Sequence, residues 1–198
     1  MEKDTLESFS KKINSKFLFD YDLKKSNWFN IGGKAKGYFK PDTLDDLVLF
    51  LKKFGGKERA FVLGAGSNIL MTDKKFDGVV IKLGRNFSNL SLLPNKVIVA
   101  GSATTDKKLS EFAMDNDIGG FEFLSCIPGT VGGGLRINSG CFGSEFKDIL
   151  VSVQVIDKKG NIKTIPSSSI KFGYRQSPLD KDFIFLSDSF KEKIKEKN

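Results

Sequence analysis

Apolar residues recur along this chain at two spacings, and the change from one to the other divides it. Leu6, Phe9 and Ile13 stand at helical spacing over residues 5–14, with Asp4 or Thr5 able to cap. Leu47, Val48, Phe50, Leu51 and Phe54 repeat the pattern after Thr43, with Asp46 where a capping box usually has Glu or Gln, and Gly55 and Gly56 end it. Leu109, Phe112 and Ala113 predict a third helix over residues 105–115. Between the helices lie short apolar runs: one around Tyr38 and Phe39 that Pro41 closes, then residues 60–63, 78–83 and 96–100. This alternation predicts a small layered α/β lobe with some parallel pairing. After residue 143 the period becomes two. Val151, Val153 and Val155 alternate with Ser152 and Gln154, residues 157–161 read as a turn, and residues 162–165 return as a hairpin. Residues 183–186 are the last strand candidate, so the second half reads as an antiparallel α+β lobe.

The segment between the halves fits neither period. Residues 124–143 hold six glycines and one proline. Glycine loses more backbone entropy on folding than any other residue, so such density implies positive φ or close approach of something to the main chain. A second glycine turn, residues 64–68, follows the apolar run Phe61, Val62, Leu63. Its bare N–H groups are of the kind that cradle phosphates. Ile69 stands where a dinucleotide fingerprint requires its third glycine, no amphipathic helix follows, and no Walker-type glycine-lysine motif occurs. A tight turn without a ligand explains either motif alone; two together suggest one extended anionic ligand.

Composition narrows the chemistry. The chain has no histidine and two cysteines, Cys126 and Cys141. That excludes His-dependent triads and an unaided tetrahedral zinc site, so no metal is expected and the cysteines read as reduced thiols. Catalysis then rests on arginine, carboxylates, hydroxyls or a bound cofactor. The net charge of +8 is scattered apart from the tail. This reads as a solvated basic surface, with attraction of phosphorylated small molecules as the functional alternative and no nucleic-acid motif beside it. Neither a secretory signal nor an apolar run of membrane-spanning length is visible, which makes the cytoplasm the expected compartment and a membrane not an expected partner.

Five motifs in order carry a resemblance: residues 26–35 (Ser26, Asn27, Trp28 to Ala35), 63–70, 127–133, 136–143 and 172–177. Together the chain resembles the MurB family, the UDP-N-acetylenolpyruvoylglucosamine reductases of peptidoglycan synthesis, over roughly residues 26–190. The resemblance implies a two-lobed FAD-binding fold of the vanillyl-alcohol-oxidase (PCMH) type. Residues 1–100 would form the first FAD-binding lobe after an N-terminal helix, 101–190 the second, and 191–198 a charged tail. Noncovalent FAD would lie between the lobes. Gly64, Ala65, Gly66, Ser67 and Asn68 would meet its pyrophosphate; Ile127, Pro128, Gly129, Thr130, Val131, Gly132, Gly133, Asn138 and Gly140 would lie near its ring. NADPH would be the co-substrate and a UDP-sugar the substrate. Arg175 would steady the charge that builds on the substrate carboxylate, as a planar, permanently charged guanidinium suits, and Tyr174 would border flavin and substrate.

The sequence departs from the family pattern in two places. The third, substrate-binding domain is absent from these residues, with its proton-donating serine and late glutamate; Ser177, Ser187 and Ser189 do not match, and Glu192 and Glu196 sit in a lysine-rich tail. A separate chain supplying that domain is one arrangement left open. Others are a flavin-binding protein without reductase activity and another flavin oxidoreductase of the same fold. Cys126 precedes Ile127 where a smaller residue is expected.

Overall fold

The structure is a computed structural model that describes residues 3–192; the tail expected at 191–198 lies, after Glu192, outside the described residues. The first sheet holds β1 (Lys16–Asp22), β2 (Lys34–Lys40), β3 (Ala60–Val62) and β4 (Phe76–Ile81) in the order β1-β2-β4-β3. β1 pairs antiparallel with β2, whereas β2 and β3 both run parallel to β4. β1 had no counterpart in the sequence pattern. Five of its seven residues are half-buried and two, Lys16 and Asp20, are exposed, so neither alternation nor a continuous apolar run marks it.

Helix α1 (Lys3–Ser10) and helix α2 (Leu44–Phe54) flank this sheet. Thr43 caps α2 as expected, its hydroxyl accepting from the Asp46 N–H at 3.2 Å. Leu47, Phe50, Leu51 and Phe54 turn inward onto Phe9 of α1. Phe9 meets the rings of Phe17, Phe39, Phe50 and Phe54 edge-on, with centroids 5.1–6.2 Å apart. The phenylalanine-rich composition is partly this aromatic core.

The second sheet is antiparallel throughout and contains β5 (Leu90–Leu93), β6 (Val97–Gly101), β9 (Leu150–Ile156), β10 (Ile162–Pro166) and β11 (Ile184–Phe190), in the order β10-β9-β11-β6-β5. Residues 90–101, grouped by sequence mostly with the first lobe, therefore hydrogen-bond into the second sheet. Ile98 and Ala100 are buried there against Val153, Val155 and Phe190. β11 is central and longer than the run at 183–186, because Ser187, Asp188 and Ser189 interrupt the apolar pattern although Asp188 is itself buried. Ile156, Ile184 and Leu186 from the second sheet share one apolar cluster with Phe39, Leu47 and Phe54, which joins the two layers.

Helix α3 (Asp106–Asp115) packs beside helix α4 (Val131–Arg136), which lies within the glycine-rich segment. That segment forms a short helix despite three consecutive glycines, a tertiary override of poor intrinsic propensity. The reason is contact: a Cβ on Gly134 would overlap the ring of Phe146. After α4 come the two-residue strands β7 (Gly140–Cys141) and β8 (Ser144–Glu145), then α5 (Phe146–Ile149), the short helix that carries Phe146.

Candidate functional site

The two glycine segments adjoin. The chain leaves β3 with the Leu63 N–H still bound to the Ile81 carbonyl at 2.8 Å, then turns through residues 64–68. Gly66 adopts φ +72°, a left-handed conformation, and any side chain there would drive into the backbone of Ser26 and Asn27. The Trp28 N–H donates to the Gly66 carbonyl at 3.0 Å. From the other side, the Ser67 hydroxyl donates to the Pro128 carbonyl, and a Cβ on Gly64 would stand 2.6 Å from the Thr130 hydroxyl. The turn at 64–68 is thus wedged between the segment around Trp28 and the segment around Thr130.

What this wedge presents is main-chain donors. Among the described residues, none of the N–H groups of Gly64, Ala65, Gly66, Ser67 and Asn68 has an acceptor within the protein. The N–H groups of Gly129, Thr130 and Gly133 also lack one, while Val131 and Gly132 spend theirs on the carbonyls of Thr104 and Ser102, both at 2.9 Å. Unpaired amides cost free energy unless water or a ligand takes them up. A row of them on a turn without bulky side chains fits the oxygens of a diphosphate.

Behind the second segment lies a buried polar layer that the sequence reading missed. The Asp106 N–H donates to the Gly129 carbonyl at 3.3 Å, and a Cβ on Gly129 would lie 2.5 Å from Asp106 Oδ2. Both carboxyl oxygens of Asp106 are buried without a partner, and burial pushes its carboxyl up to about 7. Asp188 on β11 accepts from the Ser102 hydroxyl at 2.8 Å, and burial holds its carboxyl well above the usual carboxylate range. The Thr104 and Ser139 hydroxyl oxygens are likewise buried and unpartnered. Asp106 reads in sequence as an ordinary first-turn acid after the Thr105 cap, so no sequence signal marked it.

The remaining sequence-predicted residues gather farther along. Asn138 is fully buried: its Nδ2 donates to Glu145 Oε2 and to the Gly173 carbonyl, both at 3.1 Å, and its Oδ1 accepts from the Lys147 N–H at 3.0 Å. Both amide hydrogens and the amide oxygen are engaged by the scaffold, which fastens the β7–β8 hairpin to the loop bearing Tyr174 and Arg175. Arg175 Nη2 in turn donates to the Gly140 carbonyl at 2.9 Å. Gly140, Tyr174 and Arg175 line an open cleft of about 430 Å³ together with Glu145, Lys147 and Asp148. Lys147 pairs with Glu145 at 2.5 Å, while Tyr174 projects into solvent. Cys141 lies on the cleft and Cys126 is exposed; both are free thiols. Among the described residues, no group of His, Cys, Asp or Glu is arranged to hold a metal, and no helix is long and apolar enough to cross a membrane.

Comparison with known proteins agrees with this layout. Residues 35–166 match the family described as FAD binding domain. The UDP-N-acetylenolpyruvoylglucosamine reductase of Pelagibacter ubique is 65% identical over 197 residues, covering 100% of this chain and 65% of that protein. The protein of the same name from Rickettsia akari is 46% identical over 179 residues, 90% of this chain and 60% of its own length. The chain thus spans slightly under two thirds of the curated relatives it matches. Among solved structures, MurB from Thermus caldophilus superposes with a TM-score of 0.76 at 27% identity, covering 90% of this chain and 62% of that one. A Physcomitrella patens BBE-like protein, at TM-score 0.67 and 16% identity, shares the fold alone. With more than half of its residues inside that domain match and a relative this similar along its whole length, the chain belongs to the FAD binding domain family, in the group formed by the UDP-N-acetylenolpyruvoylglucosamine reductases.

Proposed function

We propose that the chain carries the FAD-binding part of a reductase that converts UDP-N-acetylglucosamine enolpyruvate to UDP-N-acetylmuramate with NADPH, in the cytoplasm, during peptidoglycan precursor synthesis. The observation that carries this reading is the junction of the two glycine segments, with unpaired amides at residues 64–68 beside those of Gly129, Thr130 and Gly133. FAD bound there would supply the hydride chemistry that no amino-acid side chain provides. The amides of 64–68 hold the diphosphate without needing a cationic side chain. Residues 127–133 give the flexible half of the dinucleotide a wall that α4 and the Asp106 layer keep in place. Asn138 holds the hairpin and the Arg175 loop in one geometry. Arg175, fixed through Gly140, offers a permanent positive charge to the substrate carboxylate, and Tyr174 borders the same cleft. No residue here is assigned to give the substrate its proton, and a missing positioned acid typically costs about 100- to 10,000-fold in rate.

The experiment is a visible spectrum of the purified chain. A noncovalent flavin spectrum, bleached by NADPH, is the expected result, with colour returning slowly or not at all on adding the enolpyruvyl substrate. A colourless protein that takes up no added FAD refutes the flavin reading, and fast recovery of colour with product formation refutes the missing proton donor.

A further inference from the structure

We infer that Trp28 is a stacking platform for the adenine end of the bound dinucleotide, an assignment that rests on the flavin reading above. The segment bearing Trp28 is anchored from both sides. Asn27 is buried, and its Nδ2 donates to the carbonyls of Leu23 and Ile31, both at 2.8 Å, which closes the loop on itself. The Trp28 N–H holds the Gly66 carbonyl at 3.0 Å, and the missing Cβ of Gly66 lets the two backbones touch. Yet on this anchored loop Trp28 is 62% exposed and its neighbour Phe29 52%. A large aromatic exposed to water on an anchored backbone next to a turn of unpaired amides is an incomplete binding surface. A ligand whose phosphates accept from residues 64–68 must extend a group past Gly66, and an aromatic face favours a flat heteroaromatic ring.

FAD offers two such rings, and the order of contacts distinguishes them. Trp28 touches Gly66; Gly64 and Ser67 face Thr130 and Pro128; α4 then leads to Asn138, Gly140 and Arg175. Trp28 is therefore at the opposite end of this series from Arg175. The reacting ring belongs near the arginine that meets substrate, which leaves adenine for Trp28.

The test is binding of FAD, ADP and FMN to the 198-residue chain and its variants by equilibrium titration. Affinities are read by isothermal titration calorimetry in the native chain and both variants, since Trp28 is the only tryptophan in the sequence and its fluorescence, quenched by ADP in the native chain, is lost in the variants. Trp28→Ala should weaken FAD and ADP by roughly 5- to 150-fold while FMN stays within about twofold, and Trp28→Phe should keep most of the affinity. The exposed position makes both variants fold. FAD bound unchanged by Trp28→Ala, a Phe variant as weak as the Ala variant, or FMN weakened as much as ADP each overturns the assignment while the flavin reading stands. A native chain that takes up no FAD overturns both.

Discussion

Burial withdraws Asp106 from water without giving its carboxylate a partner, and the consequence is a stability that depends on pH. The carboxyl ionises near 4 in the unfolded chain but at about 7 when folded, so between these values the folded state binds more protons. Stability from this group is greatest below pH 4, falls as pH rises toward 7, and is flat above; the cost at neutral pH is on the order of 4 kcal/mol. Asp106→Asn should flatten that slope in denaturant midpoints measured from pH 4.5 to 8. Some slope remains, because Asp188 is shifted the same way. An unchanged slope would mean that Asp106 is ionised in the fold. Gly66 and Gly143 separate strain from contact. Both have positive φ, +72° and +78°, but a Cβ at Gly143 meets nothing within 4 Å whereas one at Gly66 strikes the Ser26–Asn27 backbone. Each alanine pays the left-handed strain, about 1 kcal/mol. Gly66→Ala should cost up to about 3 kcal/mol in urea unfolding because the neighbouring backbone must also move, and it should weaken FAD binding where Gly143→Ala does not.

Among elements, the capped helices α2 and α3 and the β9–β10 hairpin could be read from sequence because each is specified locally, by a threonine cap, an apolar stripe or a turn. Elements defined by their neighbours could not. β1 gains its strand character from pairing with β2, and α4 forms because glycine at position 134 admits Phe146. The tie between the β7–β8 hairpin and the Arg175 loop is likewise tertiary, and it is made by the Asn138 amide together with the Arg175 guanidinium on the Gly140 carbonyl. Asn138→Ala would leave the Lys147 N–H and the Gly173 carbonyl without that partner, at about 2–4 kcal/mol. Amide exchange should accelerate at Lys147 and across residues 172–176 before it changes in β9 or β11. Exchange spread evenly over the second sheet would mean that Asn138 supports the whole layer instead of this corner.

At the scale of the whole molecule, the shared cluster of Ile156, Ile184 and Leu186 with Phe39, Leu47 and Phe54 couples the two layers. Urea unfolding should therefore be a single transition, with Trp28 fluorescence from the first layer and far-UV circular dichroism giving the same midpoint. Two separated midpoints would show that the layers fold independently. Apolar period and glycine density were enough to indicate a two-part α+β fold and one extended anionic ligand, because turn chemistry and apolar period act over a few residues, and the order of the five motifs carried the resemblance that implied FAD and the family. Tertiary structure alone decided that residues 90–101 belong to the second sheet, that Asp106 lies beneath Gly129, that Asn138 is a brace, and that Trp28 stands beside Gly66. Each of these depends on segments distant in sequence being pressed together, where burial shifts a carboxyl and a missing side chain admits a neighbour, and no local pattern encodes such a meeting.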